Sequence, residues 1–530
     1  MPNTKASKPF VESLLGAFRA NRVEAHLRFL SHPLLEGRGV GTRGGRLAEE
    51  YIRSVYAAAG LEPVPGWGYR QEVPMLGMTP EPAVEFVSAE GVITPEYRQE
   101  YVLEAGVPEE RVEVTAPLVF AGYGIDAPEY GWHDYEGVDV RGKILLIRVN
   151  DPGTPERPDF FEGRALTYYG RWTYKFEEAA RRGAAGAILI HTDESAGYGW
   201  NVVRTSNTGE QYQLEGEPRF PLQVRGWVTE RVGRELLAQA GGADELLAES
   251  ESGAFRARPL GWEVRARVSS AIRRVRTANV LAMLPGTEPA LAEQPVVLMA
   301  HHDHLGTGRD EQGEPVIYAG AIDNASGVAL ILAMAEAFAV TGTALRRPLL
   351  FLATTAEESG LLGADWYTRH PVWPLATTAA VLNVDGANLQ GETEDIAPLG
   401  VERSTLGDAV RRAAMIEGLE LRPEQHPEKG SFFRQDHFPF ARAGVPGIAF
   451  DHGLHYRNRP EGWGEAWYEE YIARHYHQPS DSFREDFDYG GALQQGRVMM
   501  RTAVEVAEAD DLPEWRERSV FRRRAAGEAG

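Results

Sequence analysis

Apolar residues at Phe10, Leu14, Leu15 and Phe18 recur at the spacing of one helix face, and residues 47–59 carry a second stripe of the same kind. The first sixty residues therefore read as helices. Between the two stripes lies Leu35-Glu36-Gly37-Arg38-Gly39-Val40-Gly41, a glycine-rich turn. From Tyr69 to about Glu113 the pattern changes to short alternating runs broken by prolines, which predicts strands. A further unit begins near Ala116, with strands predicted at 117–120, 144–149 and 187–190 and a helix at 176–182 that Gly183 ends. The last large unit alternates period: apolar strands at 295–300, 348–353, 379–384 and 447–450, and a strongly apolar helix at 326–340. Strands alternating with helices argue for a largely parallel sheet covered on both faces.

Length and charge narrow the picture. A chain of 530 residues exceeds one ordinary core and predicts several domains. The formal net charge of -22 argues against nucleic-acid binding, which draws its affinity from clustered Lys and Arg. With no cysteine, disulfides, thiolate metal sites and cysteine nucleophiles are excluded, so any metal site must use His, Asp and Glu. No run approaches the ~20 apolar residues of a membrane span. Lys5 and Lys8 are followed by Glu12, Arg19 and Arg22 rather than by a continuous apolar core, so no signal peptide is read. The expected location is cytoplasmic, or secreted or periplasmic if a leader is removed.

The candidate chemistry lies just past the strand ends, where ligands bind in open α/β sheets. Strand 295–300 delivers His301-His302-Asp303-His304, strand 348–353 delivers Glu357-Glu358, and strand 379–384 delivers Asp385. Asp323 stands in Gly320-Ala321-Ile322-Asp323-Asn324-Ala325-Ser326-Gly327 before a helix, and His477 in Tyr476-His477-Gln478-Pro479-Ser480-Asp481. A lone Asp before a helix is ordinarily an N-cap, and a lone His near a strand end is ordinarily structural. Five such sites on one side of a sheet are different, because like charges repel and packing needs no such cluster without cations.

These motifs, in this order, resemble the co-catalytic zinc aminopeptidases of peptidase family M28. The resemblance implies a mixed, largely parallel α/β sheet with helices on both faces, of the phosphorylase/hydrolase-like kind found in zinc exopeptidases, plus an inserted, mainly-β protease-associated domain. It implies residues 1–115 as the N-terminal part of the peptidase domain, 116–272 as the insert and 273–512 as the catalytic domain; the Arg-rich tail 513–530 is expected to fray. It further implies two divalent cations, zinc first among them. Asp323 would bridge both, His301 and Asp385 complete one site, and Glu358 and His477 the other. Glu357 would be the general acid/base, Tyr476 a contact for the substrate carbonyl oxygen, and Asp303 the partner that orients His301. A cis peptide bond is expected between Asp323 and Asn324. Arg434, Asp436 and His437 match a loop of the family near the pocket, so Arg434 and Asp436 are candidate substrate contacts. His302 and His304 lie off the family pattern and read as structural, and Asp481 either supports His477 or caps a turn.

The implied activity is removal of N-terminal residues from peptides. The partners expected are peptide substrates, with no nucleic acid and no transmembrane segment, and the pattern carries no oligomeric signal. A carboxypeptidase or dipeptidase on the same scaffold is the main alternative, since Arg434 can meet a substrate carboxylate. A glutaminyl cyclase and a non-catalytic binding module are further alternatives; the complete ligand set and Glu357 argue against both.

Overall fold

The four apolar runs form strands Val296–His301, Leu349–Thr354, Ala380–Asn383 and Gly447–Ala449, every residue of which is buried. The computed structural model describes residues 8–309, 313–342, 345–517, 519 and 521–523. Contacts divide the chain into two units. One comprises Met1–Val73, Arg276–Gln425 and Arg434–Gly530, and the other Pro74–Val275 and His426–Phe433.

In the first unit the four strands run parallel in the order Gly447–Ala449, Ala380–Asn383, Val296–His301, Leu349–Thr354. The end of the long strand Arg258–Leu284 pairs antiparallel beside Leu349–Thr354. Side chains alternate between two apolar layers, as the two-residue period of a strand requires. Val296, Leu298 and Ala300 face one layer with Leu349, Phe351 and Ala353, while Val297 and Met299 face the other with Leu350 and Leu352. Helices cover both faces. Lys8–Ala17, Ala20–Leu30, Arg43–Ala59, Gly327–Thr341 and Gly490–Glu508 supply the first layer, and Leu362–Arg369 and His437–Arg442 contribute Ala364, Tyr367 and Phe440 to the second. Each fully buried Val, Leu, Ile or Phe contributes roughly 1.5–3 kcal/mol.

Among the described residues, Ala321–Thr341 is the one helix long and apolar enough to cross a bilayer. Most of it is buried, packed against helices Lys8–Ala17, Ala20–Leu30 and Arg43–Ala59 and strand Val296–His301. A helix surrounded on all sides is apolar all round.

The glycine-rich turn near residue 37 packs against the hairpin of strands Gly306–Arg309 and Pro315–Tyr318. Gly37 has φ 68°, and a Cβ there would stand 2.3 Å from the carbonyl oxygen of Gly306 and 2.4 Å from that of Tyr318. The backbone approach needs a residue with no side chain.

The second unit has strands Arg111–Phe120, Ile144–Arg148, Gly186–His191 and Val224–Thr229 in parallel succession. Tyr101–Glu104 and residues 258–269 of the long strand close its edges antiparallel. Helices Trp172–Arg181 and Glu230–Ala238 pack on this sheet. The unit is wider than the expected insert 116–272. It starts at Pro74, because Met75–Met78 of a single strand Arg70–Val87 pair with Gln211–Leu214. The prolines at 74, 80 and 82 suggested breaks, yet the strand runs through them. It also takes back residues 426–433, where Leu166 N–H donates to Pro427 O at 2.9 Å and Arg164 pairs with Glu428 at 3.0 Å. The expected fraying after Pro513 is corrected for the residues described there. Trp515 Nε1 donates to Gly444 O at 2.9 Å, and Arg523 donates to the carbonyls of Ala376, Thr378 and Ala379.

Candidate metal centre

Every expected ligand lies in the first unit, at or just past a strand end or a helix end. His301 closes strand Val296–His301, and Asp385 follows Ala380–Asn383. Glu357 and Glu358 follow Leu349–Thr354 across Ala356, which turns the chain with φ 57°. Asp323 sits in the turns Ala321–Ser326, and the Asp323–Asn324 peptide bond is cis. His477, with φ 58°, follows helix Trp463–Arg474.

These side chains converge. His301 Nε2 lies 3.1 Å from Asp385 Oδ1 and 3.3 Å from Asp323 Oδ1. His477 Nε2 lies 3.1 Å from Asp323 Oδ2 and 3.0 Å from Glu358 Oε2. The two oxygens of Asp323 thus face two different imidazoles. His301, Asp323 and Asp385 bring ligand atoms within 4.8 Å of one another, and so do His304, Asp323 and Glu358. Among the described residues, the ion pairs these carboxylates make are all to imidazoles. Two of these groups share Asp323, and a third brings together His301, Glu357 and Glu358; this all-nitrogen-and-oxygen donor set fits two divalent cations.

Electrostatics separates the two adjacent glutamates. Burial favours the neutral form of Glu358 and Asp323 adds to that, yet His477 and His304 prevail and hold Glu358 down at about 2. Glu357 is also raised by burial, and Asp385, Glu358 and Asp436 add to this against His301, so it is held well above the carboxylate range. Asp323 is held well below that range by the facing imidazoles, against its burial. Burial opposes protonation of His477, but Glu358 and Asp323 raise it to about 10.

Some neighbours differ from expectation. The carboxylate of Asp303 was expected to bond the His301 ring. Its Oδ1 stands 3.8 Å from His301 Nδ1, while the Asp303 carbonyl oxygen lies at 3.2 Å. The strand ends at His301, so the same-face alternation does not continue to 303. The Asp303 carboxylate instead accepts the backbone N–H of Glu357 at 3.1 Å. His302 is structural, its Nε2 3.0 Å from Ala278 O. His304 is not confined to a structural part. Its Nδ1 meets Glu358 Oε1 at 2.6 Å and its ring packs edge-on to His477 at 5.7 Å. Its signal was available: once the strand stops at His301, a second imidazole three residues on can turn toward the same cluster.

Tyr476 is 40% exposed, and its ring stacks on His477 at 3.9 Å. Arg434 is half-buried. Asp436 is buried and accepts from Thr354 Oγ1, and burial raises it to about 7. His437 is buried too, and desolvation lowers it to about 3. Asp481 supports the bridging residue, accepting the N–H groups of Ile322 at 2.9 Å and Asp323 at 3.1 Å.

Residues 279–503 match the model of peptidase family M28, and residues 114–221 match the PA domain. A vacuolar membrane protease of Penicillium rubens is 35% identical over 107 residues, which is 20% of this chain and 10% of that protein. One of Tuber melanosporum is 31% identical over 117 residues, 21% of this chain and 11% of that protein. The chain therefore spans about a tenth of the length of these relatives. Among solved structures, an aminopeptidase from Aneurinibacillus sp. strain AM-1 is 18% identical with a TM-score of 0.49, covering 97% of this chain and 100% of that one. A zinc aminopeptidase from Bacillus subtilis is 20% identical with a TM-score of 0.45, covering 92% and 95%.

Proposed function

The chain belongs to peptidase family M28 and carries a PA domain, and from that premise we propose that it is a metal-dependent exopeptidase that releases residues from the free N-terminus of peptides. The observation that carries this reading is that the two oxygens of Asp323 face two imidazoles, His301 and His477, with Asp385 beside the first and Glu358 beside the second. Glu358 is paired with His304 and His477, whereas among the described residues Glu357 makes no such pair. A carboxyl group beside the donor set but outside its pairs can carry a proton.

In this reading His301 and Asp385 would hold one divalent cation and Glu358 and His477 the other, with Asp323 available to both. Zinc suits the donors. When bound, the pair supplies Lewis acidity and lowers the pKa of water toward ~7. Glu357 takes the proton of the attacking water as its oxygen adds to the peptide carbonyl carbon. It then gives that proton to the amide nitrogen as the C–N bond breaks. Asp303 fixes the Glu357 backbone through its N–H. Tyr476 donates its hydroxyl proton toward the carbonyl oxygen. Arg434 is the proposed contact for substrate beyond the scissile bond. Asp436, tied to Thr354, acts on substrate only through the charge it lends the site.

The acidic cluster supports amine recognition. A protonated N-terminus is attracted to Asp385 and Glu357, whereas an α-carboxylate is repelled unless Arg434 meets it. The test compares one peptide in three forms: free, N-acetylated and C-amidated. Cleavage of the free and amidated forms with loss on acetylation is the expected result. Loss only on amidation would make the enzyme a carboxypeptidase, and no cleavage of any form by the metal-loaded protein would favour a binding module.

A further inference from the structure

Arg38 has not yet been given a task. It belongs to the glycine-rich turn, is 1% exposed and carries φ 50°. Each hydrogen bond its side chain makes ends on a backbone carbonyl. Nε donates to His302 O at 2.9 Å, Nη1 to Leu30 O at 2.7 Å and Ala319 O at 2.6 Å, and Nη2 to Gly320 O at 2.9 Å. Its own carbonyl accepts from His304 N at 3.3 Å. Residue 302 lies between His301 and His304, and residues 319–320 lead into Asp323. The guanidinium therefore joins the two loops that deliver three imidazole or carboxylate groups to the centre. From the other side Asp481, 3% exposed, takes the N–H groups of Ile322 and Asp323 on its carboxylate and that of Ala321 on its carbonyl oxygen. The segment 319–323 is thus held by its carbonyls on Arg38 and by its N–H groups on Asp481.

A buried guanidinium normally sits against a carboxylate. Here four carbonyl dipoles solvate it instead, and only the planar fork, with five N–H groups, can serve so many acceptors at once. Burial lowers it to about 10, opposed by the fields of Asp323, Asp481, Asp303 and Glu358, so it stays charged at neutral pH. A positive charge this near would by itself weaken cation binding, so electrostatics does not explain the residue.

We infer that Arg38 and Asp481 are a positioning pair that fixes the spacing between the His301–His304 loop and the Asp323 turn, and thereby sets the affinity of the centre for its cations. The inference rests on the two-cation reading above. Groups that orient ligands typically change metal affinity 10–100-fold when removed.

The test measures zinc affinity of the full-length protein by competition with a chelator, for the parent, Arg38→Lys, Arg38→Met and Asp481→Asn. The cobalt-substituted absorption spectrum reports ligand geometry, and denaturant unfolding of the metal-free forms reports stability. Positioning predicts that all three variants bind zinc 10–100-fold more weakly, with altered cobalt bands. A purely electrostatic role predicts the opposite pattern, with Arg38→Lys unchanged and Arg38→Met tighter. Zinc affinities within twofold of the parent, with only the unfolding midpoint lowered, would overturn the inference. Should the Arg38 variants fail to fold, Asp481→Asn decides by the same criteria, and failure of all three to fold makes the pair a plain structural support. A parent that takes up no zinc overturns both this and the two-cation reading, whereas a zinc-binding parent with unaffected variants overturns this alone.

Discussion

Replacing Glu357 with glutamine removes the titratable oxygen while leaving the volume of the side chain almost unchanged. The structure indicates what should survive. The backbone N–H of residue 357 still reaches Asp303 Oδ1 at 3.1 Å, since that bond uses no side-chain atom of 357. The contacts of His301 with Asp323 and Asp385, and of His477 with Asp323 and Glu358, involve other residues. Metal content should therefore match the parent. What is lost is the group that carries a proton between water and the departing amine. Such transfer contributes about 10²–10⁴-fold, or roughly 2.7–5.4 kcal/mol of barrier at ~1.36 kcal/mol per tenfold. Because the interaction develops in the transition state, the loss should fall on kcat with KM little changed. Release of the N-terminal residue and elemental analysis of metal are to be measured on one sample. Turnover within tenfold of the parent at full metal content would refute the role given to Glu357.

Glu358→Ala removes the partner of both His304 and His477, so metal content itself should fall, read by elemental analysis after dialysis; full retention would remove Glu358 from the ligand set. His304→Asn deletes the 2.6 Å contact to Glu358 and should weaken zinc binding in chelator competition, whereas a purely packing role leaves affinity unchanged. Gly37→Ala must place a Cβ against two carbonyl oxygens at φ 68°; about 1–2 kcal/mol of backbone strain and 1–3 of overpacking predict a loss of about 2–5 kcal/mol in denaturant unfolding, and a loss under about 1 would show that the turn yields. Burial lowers Lys175 to about 7 from 10.5 despite Asp151 and Asp134. Between those pH values the unfolded chain binds a proton the folded chain lacks, so stability rises with pH across this window and the penalty is full below it. Lys175→Met should flatten that rise, and identical pH slopes for parent and variant would contradict the shift.

The catalytic sheet was legible because its strands are buried on both faces and read as unbroken apolar runs. The predicted 295–300 and 348–353 differ by one residue from Val296–His301 and Leu349–Thr354. The cluster of candidate ligands was legible because carboxylates and imidazoles at successive strand ends have no packing purpose. Contacts distant in sequence were hidden. Residues 426–433 look like part of the catalytic segment, and residues far earlier in the chain, Arg164, Leu166 and Tyr168 among them, draw them into the second unit. The strand Arg70–Val87 was hidden by its prolines. His304 was read as structural because it lies off the family pattern, and its turn toward Glu358 shows only once the strand is seen to stop at His301. Arg38 looked like part of a turn, because nothing local shows that a guanidinium will be buried against carbonyls at residues 302, 319 and 320.

The catalytic unit is assembled from three stretches of chain, with Pro74–Val275 between the first and the second. This gives it an order in time. The helices that carry Leu14, Phe18, Leu27 and Leu30 are made before their packing partners Val328 and Ile331, which follow only after about 300 further residues. At ~5–20 residues per second that delay is on the order of 15–60 s. Through it the early helices have nothing of their own unit to cover them, so they are the part of the nascent protein that most needs a chaperone. Meanwhile Pro74–Val275 can close on itself except for the residues 426–433 it must wait for. Of the residues gathered at the candidate centre, His477 is made last, so the cluster is incomplete until that residue has left the ribosome.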